Sequence, residues 1–319
     1  MLIFSLDPAC RLAPALAADL DEALAPHEDR AFEDGEHKWR PLVDPRGDDA
    51  YVIAGLHGGP LDSPHDKLFR LLSFVATLHD HGAARVTAVL PYLAYARKDR
   101  QTKPFDPLTL RHVAQLLEAV GADQVIVLEA HNVAAFQNAF RRPTRHLEAH
   151  GVFDAVAAGL DSGVALAVAS PDPGGVKRAQ LWRESLELRL GRPVGFAMVD
   201  KRRSAGVVSS EQLVAGDVAG ATVLLLDDLI ASGDTMKRAA TALRQAGARE
   251  VIALAAHGLF IAPAAEVLTD PVISRIVVTD SVPPFRLPDS GPVASKLHIV
   301  SAVPLFAQAI RDCHVSWLR

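Results

Sequence analysis

Short apolar runs alternate with amphipathic stretches along almost the whole chain. Arg85–Leu90 (RVTAVL) and Gln124–Leu128 (QVIVL) are runs of mostly β-branched and aliphatic residues, the pattern of strands buried on both faces. The helical pattern of residues 107–120 lies between them. Residues 165–169, 222–226, 250–255 and 275–278 form a second set of such strands. Gly-Ala pairs precede three of the strands, at Gly82-Ala83, Gly121-Ala122 and Gly247-Ala248. A glycine there suits the left-handed residue that ends a helix. The recurrence of helix, Gly-Ala and strand in both halves predicts two similar doubly wound α/β domains with mainly parallel sheets. Ligands are then expected at the C-terminal ends of the strands. The boundary falls near residues 146–153, which gives domains over 1–148 and 149–319.

One strand end stands out chemically. In residues 223–236, VLLLDDLIASGDTM, the apolar run breaks at two adjacent acids, Asp227 and Asp228. The short turn Ala231, Ser232, Gly233, Asp234, Thr235 follows, and an Ala-rich helical pattern begins there. Such a turn sets free backbone N–H groups and hydroxyls at a helix N-terminus, a cradle for a phosphate dianion. The acids would accept hydrogen bonds from vicinal sugar hydroxyls. Together these features predict a ribose-phosphate site. The Asp234 carboxylate would have to point away from that phosphate.

Composition narrows the rest. With 319 residues, 49% of them hydrophobic and 22% charged, the chain is long enough for two globular domains. A net charge of −5 argues against a general nucleic-acid binder. Cys10 and Cys313 lie at opposite ends, so no disulfide framework or cysteine metal site is read. The N-terminus lacks a signal-peptide pattern, and no run approaches the ~20 apolar residues of a membrane span. The expectation is a cytoplasmic protein with no membrane contact.

The stretch around Asp227 resembles the phosphoribosyl-diphosphate motif of phosphoribosyltransferases and ribose-phosphate diphosphokinases. Five more segments resemble motifs of the diphosphokinases alone. They are Phe32-Glu33-Asp34-Gly35-Glu36, PYLAYARKDR at 91–100, LEAHNVAAFQNAF at 128–140, SPDPGGVKR at 170–178 and DKRR at 200–203. All fall in the family's order. The chain therefore resembles the ribose-phosphate diphosphokinase (phosphoribosyl-diphosphate synthetase) family, which implies two tandem phosphoribosyltransferase-like domains.

The resemblance also implies a reaction. The β,γ-diphosphate of ATP moves to the C1 hydroxyl of ribose 5-phosphate, giving AMP and 5-phosphoribosyl 1-diphosphate for nucleotide biosynthesis. Such transfer relies on positioning and charge stabilisation. It implies Mg2+, with His131 and Asp172 at the metal-linked positions. Lys201 and Arg203 match the K-x-R that would stabilise the transferring group. Residues two apart on an extended segment point the same way. The nucleotide would meet Phe32, Asp34, Gly35, Glu36, Arg97 and Lys98. Lys98 departs from the family's amide: an ammonium only donates hydrogen bonds, so base selection would change or Lys98 would contact phosphate. In the family the Phe32 loop reaches a neighbouring subunit, which implies a homo-oligomer. Residues 100–107 suit a mobile flap.

Three other functions compete, of which a ligand-sensing regulator built on a phosphoribosyltransferase-like domain would need an added nucleic-acid-binding module that this acidic chain does not suggest. A phosphoribosyltransferase explains the Asp227–Asp228 stretch but not the Arg97, His131 and Asp172 motifs. A catalytically silent regulatory homologue should have damaged catalytic residues, and these are present. Bland readings suit the remaining features. His79, His81, His146 and His150 lack a matching acid or cysteine pattern, and Arg141, Arg142 and Arg145 read as a solvated basic loop rather than an allosteric phosphate site. Trp39, Trp182 and Trp317 are too scattered for a stacking platform.

Overall fold

The computed structural model describes residues 1–7, 10–204 and 207–317, with side chains described outside 201–212. The chain divides into two compact units. The first comprises Met1–Glu148, Ser281–Pro283 and Ser301–Arg319; the second comprises Ala149–Asp280 and Pro284–Val300.

In the first unit, β1 (Leu2–Ser5) is followed by α1 (Leu12–Asp19) and a hairpin of β2 (His27–Ala31) and β3 (His37–Pro41). Then come β4 (Asp49–Ile53), α2 (Pro64–Asp80), β5 (Arg85–Leu90), α3 (Thr109–Ala119), β6 (Gln124–Leu128), α4 (Val133–Ala139) and β7 (Thr144–Leu147). The main sheet runs β1-β4-β5-β6-β7, all parallel. Strand β4 is buried throughout, which is why its sequence lacks polar alternation. Helix α2 starts at a capping box in which Ser63 and Asp66 satisfy each other's backbone N–H, with Pro64 in the first turn. Its Leu71, Phe74, Val75 and Leu78 are completely buried, each contributing ~1.5–3 kcal/mol of transfer free energy.

The second unit contains α5 (His150–Ala158), β8 (Leu166–Ser170), a 3-10 turn at Pro173–Gly175, α6 (Val176–Leu190), β9 (Gly195–Ser204), β10 (Val207–Ala215), β11 (Thr222–Ile230) and α7 (Asp234–Gln245). It continues with β12 (Glu250–Gly258), α8 (Ala264–Val267), β13 (Arg275–Thr279), a 3-10 turn at Ala294–Lys296 and β14 (Leu297–Val300). The sheet order is β10-β9-β8-β11-β12-β13-β14. Only β10 is antiparallel to its neighbour. The last helix, α9 (Val303–Trp317), packs with the first unit.

The predicted strands 85–90, 124–128, 165–169, 222–226, 250–255 and 275–278 coincide with β5, β6, β8, β11, β12 and β13 to within a few residues. The three Gly-Ala signals share one geometry. Gly82, Gly121 and Gly247 have φ of 82°, 92° and 94°. The following Ala83, Ala122 and Ala248 N–H groups donate to Leu78, Leu117 and Leu243 carbonyls at 3.1, 3.0 and 3.0 Å. This is the paired-bond helix stop that allows a strand to begin at once. Elements built on mostly polar residues, such as the β2–β3 hairpin, carry no such signal in sequence.

Candidate active site

The second unit reverses its winding at β8. The chain passes from β8 to β9 on one side, then places β11 on the other. The crevice at such a switch point is where doubly wound sheets bind ligands. Register pairs Leu225 with Ala169, so the C-terminal ends of β8 and β11 lie side by side. Two of the sequence motifs are thereby joined.

At the end of β8, Asp172 is the cap of the 3-10 turn. Its Oδ1 accepts the N–H groups of Gly174 at 2.9 Å and Gly175 at 3.3 Å. The buried Ser170 hydroxyl donates to the Asp172 carbonyl at 2.6 Å. A Cβ on Gly175 would stand 2.6 Å from that hydroxyl oxygen, so this turn needs glycine for close approach.

At the end of β11, Asp227 is half-buried and Asp228 is buried. The Asp228 N–H donates to Asp227 Oδ1 at 2.9 Å. Burial, and then the charge of Asp228, push the Asp227 carboxyl well up from its ordinary range. Arg178, from the first turn of α6, pulls in the opposite direction. Arg178 lies within a motif read from sequence, yet no pattern there tells which charge it meets. That follows only from the adjacency of β8 and β11.

The turn read from the sequence as a phosphate cradle leads directly into α7. Gly233 is the residue before α7 with φ 86°, and its carbonyl accepts the Lys237 N–H at 2.9 Å. The exposed Asp234 carboxylate accepts the Ser232 hydroxyl at 2.7 Å, so that hydroxyl already has a partner in the turn. A Cβ on Gly233 would fall 2.9 Å from Leu268 Cδ2. Gly233→Ala is therefore expected to cost ~1–3 kcal/mol through positive-φ strain and this clash. Urea unfolding checks the value, and an unchanged midpoint would refute it.

In the first unit, the motif residues after β5 and β6 come together. Tyr95 has φ 64°, and its hydroxyl is hydrogen-bonded to His65 Nδ1. Arg97 is exposed. Lys98 Nζ donates to Asp106 Oδ2 at 2.5 Å, so it has an internal partner. The Asp106 carboxyl is held far below the ordinary carboxylate range by Lys98 first, then by Thr102. Asn132 Nδ2 donates to Asp99 Oδ2 at 2.6 Å, which ties the segment after β5 to the segment carrying His131. His131 itself is exposed, just after Glu129 with its φ of 41°.

Phe32, Asp34, Gly35 and Glu36 form the β2–β3 turn, on a different element from Arg97. Glu36 N–H donates to Asp34 Oδ1 at 3.0 Å, and the Arg30 guanidinium lies 4.9 Å from the centre of the Phe32 ring. His131 and Asp172 belong to different units. Lys201 and Arg203 lie on β9, where the backbone pairs with Gln212 and Val208. Their side chains lie outside the described residues.

One buried ionic group carries no sequence signal, because its members are 60 residues apart. Lys67 Nζ donates to Asp7 Oδ2 at 2.7 Å, and His57 Nε2 lies 3.8 Å from the same oxygen. The basic trio disperses: Arg145 pairs with Asp312 at 2.5 Å, while the Arg141 and Arg142 N–H groups donate to Glu118. Trp182 is a core residue whose Nε1 donates to Asp154.

Comparison with known proteins bears on this arrangement. Residues 1–121 match the N-terminal domain of ribose phosphate pyrophosphokinase, and residues 210–316 match the phosphoribosyl synthetase-associated domain. A ribose-phosphate pyrophosphokinase of Caldanaerobacter subterraneus subsp. tengcongensis is 35% identical over 312 residues, covering 98% of this chain and 94% of that protein. This chain belongs to the ribose-phosphate pyrophosphokinase family. Another ribose-phosphate pyrophosphokinase, from Chlorobaculum tepidum, is 35% identical over 300 residues, 94% of this chain and 88% of the relative. The crystal structure of phosphoribosylpyrophosphate synthetase from Mycobacterium smegmatis superposes with a TM-score of 0.85 at 32% identity, covering 99% of each chain. The family assignment agrees with the α/β, mainly parallel architecture and with the motifs on which the resemblance rests. Among the described residues, no helix is long and apolar enough to cross a membrane.

Proposed function

We propose that this protein transfers the β,γ-diphosphate of ATP to the C1 hydroxyl of ribose 5-phosphate, releasing AMP and 5-phosphoribosyl 1-diphosphate. The observation that carries the reading is the side-by-side placement of the β8 and β11 ends, in a chain whose relatives bear that activity's name.

The roles follow from chemistry. Backbone N–H groups of the turn formed by Ala231, Ser232, Gly233, Asp234 and Thr235 hold the 5-phosphate at the start of α7. Asp227 and Asp228 accept hydrogen bonds from the ribose 2- and 3-hydroxyls. Two hydroxyl donors suit this pair, because hydrogen bonds to the ionised form offset the burial and mutual repulsion that push the Asp227 carboxyl up. Lys201 and Arg203 neutralise charge on the group in flight, the lysine as a point charge and the arginine as a fork. Phe32 stacks on the base, Asp34, Gly35 and Glu36 meet its polar groups, and Arg97 meets the nucleotide phosphates.

Mg2+ fits the donor chemistry. No cluster of three His, Cys, Asp or Glu side chains suited to a metal occurs among the described residues. Mg2+ is commonly held by one or two carboxylates, its own waters and substrate phosphates, so a single contribution from Asp172 in one unit, or from His131 in the other, would suffice. When bound, the ion would supply positive charge that offsets that of the phosphates. The reading extends to a cytoplasmic homo-oligomer, whose state sedimentation measures directly.

A product assay tests the function. Protein, Mg2+, ribose 5-phosphate and either ATP, GTP or CTP are incubated and resolved by anion exchange. Equimolar AMP and 5-phosphoribosyl 1-diphosphate, dependent on both substrates and lost with chelator, are expected. A folded protein that binds ribose 5-phosphate yet forms no product with any donor would overturn the reading in favour of a silent homologue.

A further inference from the structure

Lys98 stands where the family pattern has an amide, and the structure gives it a partner eight residues away. Its ammonium donates to Asp106 Oδ2 at 2.5 Å and reaches the Thr102 hydroxyl at 3.4 Å. The same Asp106 oxygen accepts the Thr102 N–H at 2.9 Å, the Thr102 hydroxyl at 2.7 Å and the Lys103 N–H at 3.0 Å. Gln101 Nε2 donates to the Asp106 carbonyl at 2.8 Å, and the Lys98 carbonyl accepts the Leu110 N–H at 3.3 Å. Residues 98–106 thus form a ring closed by one carboxylate. The neighbouring Asp99 is fixed from outside the ring by Asn132 at 2.6 Å.

We propose that Lys98 is a positioning residue: with Asp106 it closes this ring and so presents Arg97 to the nucleotide's phosphates. The inference rests on the reaction proposed above and refines the nucleotide site within it. Three observations support it. An ammonium has only donors, and this one is engaged with a carboxylate instead of aimed at a base edge. Several donors converge on one Asp106 oxygen, which is the arrangement of a preformed loop and not of a loosely solvated flap. The ring also holds Phe105 at φ 67° with 99% of its surface exposed, a conformation that a chain without such ties would abandon. Preorganisation of this kind lowers the cost of ordering a loop when ligand binds. It therefore acts on nucleotide affinity before it acts on the chemical step.

The test combines kinetics with limited trypsin digestion at the exposed Arg100, inside the ring, in the full-length protein. Lys98→Ala and Asp106→Asn are each expected to raise both the cleavage rate and the KM for ATP about tenfold, the effect of losing one strong hydrogen bond. The kcat and the KM for ribose 5-phosphate should stay within about twofold. The double variant should be no worse than Asp106→Asn alone, because Lys98 acts through that carboxylate. Lys98→Arg, which keeps a cationic donor for the Asp106 carboxylate, should retain much of the protection. The ATP-to-GTP preference should be the same in Lys98→Ala as in the parent, which a base-reading role would not allow. Unchanged cleavage and KM in the single variants, additive losses in the double variant, or a shifted donor preference would each overturn the proposal. If the parent makes no product at all, the reaction assignment fails, while the digestion still decides whether Lys98 and Asp106 close the ring.

Discussion

Replacing Lys201 by alanine is expected to lower kcat for 5-phosphoribosyl 1-diphosphate formation by about 10²–10³-fold, while ribose 5-phosphate binding stays nearly unchanged. The size follows from the ~3–4 kcal/mol that one preorganised donor supplies when it meets charge growing in a transition state. A contact made equally in the ground state would instead raise KM. Its place on β9 supports the role. Strand β9 is parallel to β8, and Ser170 pairs with Met198, so Lys201 follows the last paired position on the side where β8 leads to Asp172. The turn proposed to hold the sugar phosphate follows a different strand, β11, so loss of Lys201 should leave the proposed sugar contacts in place. Single-turnover rates with saturating substrates, beside calorimetric titration of ribose 5-phosphate, separate the two effects. Undiminished kcat would remove Lys201 from the mechanism, and a loss confined to KM would make it a binding residue.

The second large effect concerns stability and lies at the N-terminal ends of β4 and β5 in the first sheet. Asp49, at the start of β4, is buried, and it accepts Arg85 Nε at 2.8 Å and Nη2 at 2.6 Å. His314 Nδ1 stands 2.7 Å from its Oδ2. Arg85 also donates to the Tyr51 hydroxyl at 2.7 Å and to the Cys313 carbonyl at 3.1 Å, near the end of α9. Burial first, and then the Asp49 charge, hold the Tyr51 phenol protonated far above its ordinary range. Asp49→Ala would strand the arginine in this pocket. Removing one partner of a buried ion pair costs ~3–5 kcal/mol, because the remaining charge loses its compensation. The expected result is a lower urea midpoint with little change in slope. Amide exchange in α9 should accelerate most, since both Arg85 and His314 link that helix to β4 and β5. A midpoint within error of the parent would show that water replaces the carboxylate at little cost.

Much of the fold was legible in the sequence because its signals are local. Strands buried on both faces show as continuous apolar runs, and helix ends show as Gly-Ala pairs whose left-handed glycine has few substitutes. The strand, acid pair and turn proposed as the ribose-phosphate site were equally legible, since they lie within 14 consecutive residues, 223–236. The F-x-D-G-E segment could be seen as a motif but not as a hairpin turn, since β2 and β3 are mostly polar and lack an apolar period.

What remained hidden involved partners distant in sequence or competing side chains within a loop. Lys98 had two plausible phosphate or base contacts on chemistry alone, and only the loop geometry assigned it to Asp106. Arg145 looked like part of a solvated basic cluster until α9 brought Asp312 to it, 167 residues along the chain. An amphipathic helix such as α9 shows that one face will be buried, but not against which core; here it joins the first unit. Thus the sequence by itself determined the strands, the helix stops and the chemistry at the strand ends, all of which depend on short-range sterics and local composition. The tertiary structure alone decided which charges meet, because ion pairing depends on distances that the sheet order sets: Arg178 beside Asp227, Lys67 beside Asp7, and Arg85 beside Asp49.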